Sequence, residues 1–264
     1  MFLGIDIGSS SSKAVAVNGH GVVLGRHVVN IGTGTNGVEL ALAELWKQTG
    51  LTRADVEYSV VTGYGRMNYK GADEQITEIS CHAKGVAASC PGARTIIDIG
   101  GQDAKAIQLS ADGRVENFVM NEKCAAGTGR FFEVMARVLN CTIQELPRLA
   151  AQADKPVPIS SICTVFAESE VISQLAGGAS LASVAKGAHI SVAKRVSGLG
   201  KRIELRPDVV MTGGVALNPT MAECLSAELG LPVRLPEHPQ TMGALGAALF
   251  AKEHYQRNHE QGGE

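Results

Sequence analysis

The sequence predicts an α/β fold built from two related halves. The first observation is a repeat, because segments 6–13 and 98–105 share an Asp-Ile-Gly start and a final lysine, 92 residues apart. The second is the alternation of short apolar runs with longer amphipathic segments, which is typical of mixed strands and helices. The third is the apolar run 209–212, which enters a double glycine and then a helix-like segment.

The elements are predicted in order from these patterns. Strands are predicted at 2–7, 13–18, 22–30, 57–62, 94–99, 104–109, 114–120, 208–212 and 231–235. Helices are predicted at 36–49, 74–89, 128–139, 143–152, 164–176, 180–202, 218–229 and 243–256, followed by a frayed polar tail. Because Cys90-Pro91-Gly92 breaks the chain, the halves are expected at 1–92, joined by the C-terminal helix 243–256, and at 93–242.

Composition argues against several classes of protein. The 264 residues carry a formal net charge of −2 and no basic run, so a nucleic-acid partner is not expected. No apolar stretch has the length of a membrane span. The N-terminus enters a predicted strand directly, without a signal peptide, so we expect a cytoplasmic protein whose six cysteines are reduced.

The two repeated segments predict β-hairpins with an acidic residue and a small-residue loop at the tip. Two such tips facing each other are suited to bind a polyphosphate, because backbone N–H groups in the loops bind anions. The carboxylates of Asp6 and Asp98 are suited to hold Mg²⁺, directly or through water. The duplication therefore predicts a nucleotide site.

A second glycine pattern is misleading. The segment 32–37 fits G-x-G-x-x-G and lies between a predicted strand and a predicted helix. A dinucleotide-binding fold also requires an acidic residue near the end of the next strand. Asp55 and Glu57 lie at the start of that strand instead, so we do not expect a dinucleotide site here.

The double glycine at 213–214 completes the nucleotide pattern. Gly213 and Gly214 let the backbone approach a ligand closely, and the N-terminus of the following helix favours negative charge. Together with the hairpins, this arrangement resembles the actin, sugar-kinase and heat-shock-chaperone ATPase superfamily, whose duplicated fold has ribonuclease H-like halves. The resemblance implies that the hairpins bind phosphates and that the Gly-Gly turn binds adenosine.

Two cysteines lie in segments that this superfamily does not explain. Cys124 and Cys163 are each expected immediately before a helix, whose N-terminus stabilises a thiolate. By residue chemistry alone, the favoured interpretation is that both are ordinary small buried residues. Two thiolates are too few for a closed four-thiolate site in one chain, but they suffice if a two-fold dimer brings two pairs together. The remaining cysteines, 81, 90, 141 and 224, are interpreted as packing residues.

These segments give the chain a closer resemblance to the activator ATPases of 2-hydroxyacyl-CoA dehydratases, especially those of the (R)-2-hydroxyglutaryl-CoA type. ATPase subunits of benzoyl-CoA reductases share the general pattern. The resemblance covers nearly the whole chain. It is carried by segments 4–6, 9–13, 62–66, 80–83, 98–103, 123–131, 163–174 and 211–218.

The resemblance implies a homodimer with one [4Fe–4S] cluster, held by Cys124 and Cys163 of both chains. It implies that ATP hydrolysis with Mg²⁺ drives transfer of one electron to a two-subunit dehydratase, after reduction by a carrier such as ferredoxin or flavodoxin. The alternatives left open are the ATPase subunit of a benzoyl-CoA-type reductase, a small-molecule kinase, and a nucleotide-gated scaffold.

The resemblance also assigns roles to individual residues. Asp6 and Asp98 would organise Mg²⁺, and either Gln102 or Asp103 would position the attacking water. The phosphate-binding residues would be Ser9, Ser10, Ser11, Ser12, Lys13, Gly100, Gly101, Gln102 and Asp103. The adenosine pocket would be lined by Gly213, Gly214, Val215 and Asn218, with Gln240 also reaching the nucleotide.

Overall fold

The computed structural model describes residues 1–122, 124–160 and 163–260. Lys123 and Ser161, which belong to the two cysteine segments, and the last residues of the polar tail lie outside the described residues. The chain divides into two compact units. Unit 1 comprises residues 1–93, 109–115 and those from 240 onward, and unit 2 comprises 94–108 and 116–239.

Unit 1 is built on a five-stranded sheet in the order β3-β2-β1-β4-β5. Its strands are β1 (Phe2–Ile7), β2 (Ser12–Val17), β3 (Val23–Val29), β4 (Tyr58–Thr62) and β5 (Glu74–Gln75). Its helices are α1 (Gly37–Thr49), α2 (Glu78–Ser89) and α8 (Met242–Glu260). β1 pairs antiparallel with β2 and parallel with β4. Leu3 and Ile5 of β1 share a core with Leu45 of α1.

Small residues let α8 lie directly against β1 and α2. A Cβ atom at Gly4 would lie 1.9 Å from the Ala244 carbonyl oxygen, and one at Gly246 would lie 1.8 Å from the Cys81 carbonyl oxygen. These distances are below any contact that a Cβ atom makes, so the two positions require glycine. The Ala- and Gly-rich composition of α8 is therefore a consequence of backbone-to-backbone packing.

Unit 2 contains a second five-stranded sheet, in the order β10-β9-β6-β7-β8. Its strands are β6 (Thr95–Ile99), β7 (Ala104–Leu109), β8 (Val115–Asn121), β9 (Val209–Thr212) and β10 (Val233–Arg234). Its helices are α3 (Gly129–Val138), α4 (Leu146–Ala151), α5 (Thr164–Ala176), α6 (Leu181–Gly200) and α7 (Pro219–Leu229). Phe131, Phe132 and Met135 of α3 are fully buried and share the core with Ile97 and Ile99 of β6.

The two sheets repeat one local arrangement. Asp6 pairs with Lys13 across the β1–β2 hairpin, and Asp98 pairs with Lys105 across the β6–β7 hairpin. Each hairpin also has a parallel neighbour, so Asp6 lies opposite Thr62 of β4, as Asp98 lies opposite a threonine of β9. The predicted α/β fold with duplicated halves is confirmed.

Some predicted boundaries are wrong. The helix predicted over 74–89 begins at Glu78, because residues 74–75 pair with β4 as β5 and Thr77 caps the helix by accepting a hydrogen bond from Ser80 N. The last helix extends to Glu260, so residues 256–260 are helical rather than frayed. Among the helices of the described chain, none combines the length and apolar character needed to cross a bilayer.

Candidate nucleotide site and cysteine pair

In unit 1, the candidate site is organised around Asp6. This carboxylate is buried at the end of β1, and its Oδ2 lies 3.2 Å from Lys13 Nζ. Gly63, directly after β4, has φ +89°, and a Cβ atom there would lie 2.4 Å from Asp6 Oδ1. The turn therefore requires glycine, and it holds the acidic side chain next to its lysine partner.

The serine loop that follows β1 is a tight turn. Gly8 N donates a hydrogen bond of 2.9 Å to Ser11 O. Ser12 is buried, and its Oγ donates to Ile31 O at 2.8 Å. Ser9, Ser10 and Ser11 are partly exposed. Ser12 thus anchors the loop, while the three serines before it lie at the surface with their backbone groups.

The glycine-rich segment 32–37 supports this loop. Thr33 N donates to Gly8 O at 3.0 Å. A Cβ atom at Gly32 would lie 2.1 Å from Ser9 O, so a larger residue would push the serine loop out of place. The glycine at position 32 is therefore explained by packing beneath the first loop.

In unit 2, Asp98 is the counterpart of Asp6 and has more partners. Its Oδ1 accepts a hydrogen bond of 2.7 Å from Thr212 Oγ1, and its Oδ2 lies 3.3 Å from Lys105 Nζ. Lys105 also pairs with Asp103, and the lysine itself is almost completely buried. One buried cation therefore connects the strand carboxylate to the loop that follows it.

The second loop, residues 100–103, also serves as the platform for α3. Gly100 N donates to Asp103 O at 2.9 Å and closes the turn. Gly129 N and Arg130 N, the first two amides of α3, donate to the carbonyl oxygens of Gly100 and Gly101, each at 2.8 Å. The side chain of Gln102 is exposed, whereas that of Asp103 is engaged by a lysine.

The double glycine after β9 is also a position of close approach. Gly213 has φ +87°, and a Cβ atom there would lie 2.3 Å from Ile99 O. Gly214 is exposed, and the adjacent Val215 is buried. Asn218 caps α7 through its Oδ1, which accepts from Met221 N at 3.0 Å. Gln240, which follows unit 2 in the chain, is partly exposed and belongs to unit 1.

His189 is a residue that sequence reasoning missed. Its Nδ1 donates to Ala185 O at 2.8 Å, and its Nε2 accepts from Asn218 Nδ2 at 2.8 Å. Its ring centroid lies 4.9 Å from that of Phe132 in α3. Burial lowers the pKa of His189 to about 4, so the ring is neutral near pH 7. A single histidine on an apolar helix gives no sequence signal that its ring connects Asn218 to α3.

The two singled-out cysteines differ in their local structure. Cys163 is the N-cap residue of α5, as expected. The expectation for Cys124 is wrong, because α3 starts only at Gly129 and a turn closed by the bond from Thr128 N to Ala125 O intervenes. Both thiols are free and partly exposed. Within the described ranges, no three potential metal-ligating side chains lie together.

Three of the other four cysteines differ from this pair in burial. Cys81, Cys90 and Cys224 are buried, and only Cys141 is partly exposed like the pair. Burial raises the pKa of Cys81 to about 12, so this thiol stays protonated near neutral pH. Its sulfur is also completely buried, in keeping with the interpretation of Cys81 as a packing residue.

Comparison with known proteins agrees with the predicted family. A model of the BadF/BadG/BcrA/BcrD ATPase family matches residues 3–251. The chain is 54% identical over 255 residues to the activator of lactoyl-CoA dehydratase from Anaerotignum propionicum, covering 97% of this chain and 98% of that protein. It is 46% identical over 250 residues to the (R)-2-hydroxyglutaryl-CoA dehydratase activating ATPase of Acidaminococcus fermentans, covering 94% and 96%.

Solved structures agree at the level of the fold. The activator of the 2-hydroxyisocaproyl-CoA dehydratase from Clostridium difficile, solved with bound ADPNP, superposes with a TM-score of 0.96 at 48% identity, covering 99% of this chain and 98% of that one. A ROK family glucokinase from Streptomyces griseus gives a TM-score of 0.59 at 13% identity, covering 96% of this chain and 99% of that one, which shows the shared sugar-kinase-like fold alone. The chain belongs to the BadF/BadG/BcrA/BcrD ATPase family.

Proposed function

We propose that this ATPase is a one-electron activator of a 2-hydroxyacyl-CoA dehydratase, working as a homodimer that holds one [4Fe–4S] cluster. The observation that carries the proposal is the pair of free, partly exposed thiols at Cys124 and Cys163, outside both phosphate-binding loops. Relatives that match almost the whole chain are named activators of such dehydratases.

The donor set fits an iron–sulfur cluster. Such clusters are held by cysteine thiolates, four of them for a [4Fe–4S] centre. Each chain offers Cys124 and Cys163, so a two-fold dimer supplies the full set. Cys163 caps α5, whose N-terminal amides favour negative charge on its sulfur. When bound, the cluster supplies low-potential one-electron chemistry.

The nucleotide machinery follows the duplicated arrangement. We assign Asp6 and Asp98 to the Mg²⁺ ion and its waters, and the loops 9–13 and 100–103 to the phosphates. Gly213, Gly214, Val215, Asn218 and Gln240 are assigned to the adenosine.

The residue that positions the attacking water can be chosen from the contacts of the second loop. Asp103 is held in an ion pair with Lys105, whereas the side chain of Gln102 is exposed at the loop tip. We therefore assign this role to Gln102. Unchanged ATP turnover in a Gln102→Ala variant would contradict the assignment.

Contacts of the second loop support a physical connection between the proposed phosphate site and Cys124. The first amides of α3 are bonded to the carbonyl oxygens of Gly100 and Gly101. A shift of this loop on hydrolysis would therefore displace the start of α3 and the Cys124 turn that precedes it. Through Asn218 and His189, the adenosine end would act on the same helix, because the His189 ring packs on Phe132.

The expected partners follow from this role. They are a two-subunit dehydratase, which accepts the electron, and a carrier such as ferredoxin or flavodoxin, which supplies it in the cytoplasm. The choice of 2-hydroxyacyl-CoA belongs to the dehydratase, since no residue of this chain is assigned to the acyl substrate. A benzoyl-CoA-type reductase is the alternative partner.

The test is iron and acid-labile sulfide per chain in protein purified without oxygen. A cluster shared by two chains predicts about two iron atoms per chain. Cys124→Ser and Cys163→Ser variants should lose the iron, while Cys141→Ser, which changes another partly exposed thiol, should keep it. Dimeric, ATP-hydrolysing protein that stays iron-free after anaerobic reconstitution would overturn the proposal and direct attention to phosphoryl acceptors.

A further inference from the structure

A cleft of about 400 Å³ opens in unit 2 beside the Cys124 segment. One wall comes from the end of β8 and from the turn before α3, and the other from the last turns of α6. Its lining residues are Ala104, Met120, Asn121, Ala126, Gly127, Lys194, Arg195, Val196, Gly198, Leu199 and Arg202. None of the residues assigned to the nucleotide is among them.

The α6 wall of this cleft is positively charged. Lys194, Arg195 and Arg202 line it, and all three side chains are exposed. In the part of the chain that the structure describes, none of the three takes part in an ion pair. The chain as a whole has a formal net charge of −2. Three uncompensated cations at one cleft are therefore a local feature, which the overall charge does not explain.

A glycine keeps this charged wall open. Lys194 and Gly198 lie four residues apart in α6, a spacing that places them on one side of the helix. Arg202 lies just beyond α6, where its N–H bonds Leu199 O at 3.1 Å. A Cβ atom at Gly198 would meet nothing within 4 Å, so the space in front of it is open.

The opposite wall is continuous with the cysteine segment. Asn121 Nδ2 donates a hydrogen bond of 3.0 Å to Cys124 O. A Cβ atom at Gly127 would lie 2.8 Å from Arg195 Cγ, so the turn after Cys124 packs closely on the arginine stem. Anything that docks in the cleft therefore lies next to the backbone of Cys124.

We propose that this cleft is the docking surface for the protein that reduces the activator, a small acidic carrier of single electrons. The inference rests on the proposed function. Exposed, unpaired cations attract an acidic surface at long range and speed its association, and complexes between redox proteins bury little area. The carrier loses one electron and the centre held by Cys124 and Cys163 gains it, with no transfer of atoms.

The three cations suit a protein better than a small anion. A small-molecule site has a few fixed polar groups within a largely enclosed pocket. Here all three cationic side chains are exposed to solvent, and the cleft is only partly enclosed. Such a surface is complementary in charge to an acidic protein. The protein itself would cover the open cleft and exclude water from it on binding.

The first experiment removes the charge. The combined Lys194→Gln, Arg195→Gln and Arg202→Gln variant is compared with Lys201→Gln, which removes a neighbouring exposed charge outside the cleft. The readouts are the Kd for a ferredoxin, measured by anaerobic calorimetry, and the salt dependence of that Kd. We expect about tenfold weaker binding and a flatter salt dependence in the triple variant, and wild-type values in the control.

The second experiment blocks the cleft and keeps its charge. Gly198→Leu fills the open space, so it should weaken ferredoxin binding while the three cations remain. Reduction by methyl viologen radical, a small cation that needs no basic surface, should stay at the wild-type rate in all variants. Unchanged ferredoxin binding in both the triple variant and Gly198→Leu overturns the proposal.

Two further outcomes separate this inference from the proposed function. Protein without iron that methyl viologen cannot reduce refutes the proposed function itself. Cluster-bearing protein that binds ferredoxin normally when the cleft is altered, but no longer binds the dehydratase, assigns the cleft to the dehydratase. That outcome overturns the carrier proposal and leaves the proposed function intact.

Discussion

At the scale of single residues, His189 shows how burial sets chemistry. Its side chain is fully buried, and both ring nitrogens are used, Nδ1 as donor to Ala185 O and Nε2 as acceptor from Asn218 Nδ2. Only the neutral ring with its proton on Nδ1 satisfies both bonds. Protonation would place a charge in an apolar core and turn the Nε2 acceptor into a donor facing another donor.

The pKa of His189 predicts how stability depends on pH. The pKa is 6.5 in the reference state and about 4 when folded, so the unfolded chain takes up the proton first as the pH falls. The stabilisation that comes from burying the neutral His189 ring is fully present above pH 6.5. It declines between pH 6.5 and about 4, which lowers the free energy of unfolding by on the order of 3 kcal/mol. Urea titrations at several pH values measure it.

A His189→Gln variant serves as the control for this prediction. Glutamine does not titrate, so the variant should be less stable at pH 7.5 but should lose this part of the pH dependence. An identical pH dependence in variant and wild type would show that other groups are responsible.

Gly213 gives a second prediction at the residue scale. Its φ of +87° and ψ of 179° lie in a region that is essentially restricted to glycine. Gly178 has a similar φ of +90°, but a Cβ atom there would meet nothing within 4 Å. Gly178→Ala should therefore cost only the backbone term, about 1–2 kcal/mol. Gly213→Ala adds the greater backbone strain at this ψ and a clash with Ile99 O, and should cost at least about 2 kcal/mol more. Equal losses in urea unfolding would contradict the assigned close approach.

At the scale of elements, the packing of α8 depends on positions without side chains. The Gly246 Cα approaches the Cys81 carbonyl so closely that an added Cβ atom would lie 1.8 Å from the oxygen. Gly198, inside α6, has open space instead. The two helical glycines therefore differ. Gly246 is required by packing, whereas the structure leaves room for a side chain at position 198.

This contrast predicts stability changes of opposite sign. Gly246→Ala should separate α8 from α2 and lower the free energy of unfolding by about 3 kcal/mol or more. Gly198→Ala should raise it by up to about 1 kcal/mol, because alanine is the better helix former. Both are measured by urea denaturation, and a gain in stability for Gly246→Ala would refute the close packing of the two helices.

Element boundaries show where the sequence stopped being informative. The hairpins carrying Asp6 and Asp98 were predictable, because their apolar runs and glycine turns are local. The start of α3 was not, since its first amides bond to Gly100 and Gly101, which lie far away in the chain. The strand at Glu74 was also not predicted. Only its pairing with β4, a contact between segments apart in the chain, makes it a strand.

At the scale of the whole molecule, the duplication extends further than the sequence repeat indicated. Thr212 bonds the carboxylate of Asp98, and Thr62 occupies the matching register position beside Asp6. The two positions are 150 residues apart, against 92 for the aspartates. A repeat with one fixed spacing therefore could not reveal that the two threonines correspond. The shared sheet topology does reveal it. The differing partners of Asp6 and Asp98 show that the copies have diverged in detail.

If one nucleotide uses both halves, a change in either should remove the same stabilisation. ADP with Mg²⁺ at a hundred times its Kd should raise the free energy of unfolding by about 2.7 kcal/mol in the wild type. Asp6→Asn and Asp98→Asn should each abolish most of this increment, measured as the difference with and without nucleotide. The increment is the proper readout, because Asp98→Asn also removes one of the two carboxylates beside the buried Lys105 and lowers the baseline stability.

Asp112→Asn is the matched control for this measurement, since Asp112 is an exposed carboxylate in a turn, paired with Arg114. It should keep the full increment. An increment lost in one aspartate variant and retained in the other would mean that only one hairpin binds the nucleotide. The second copy of the motif would then serve the fold of its own half, and the assignment of both carboxylates to the metal would fail.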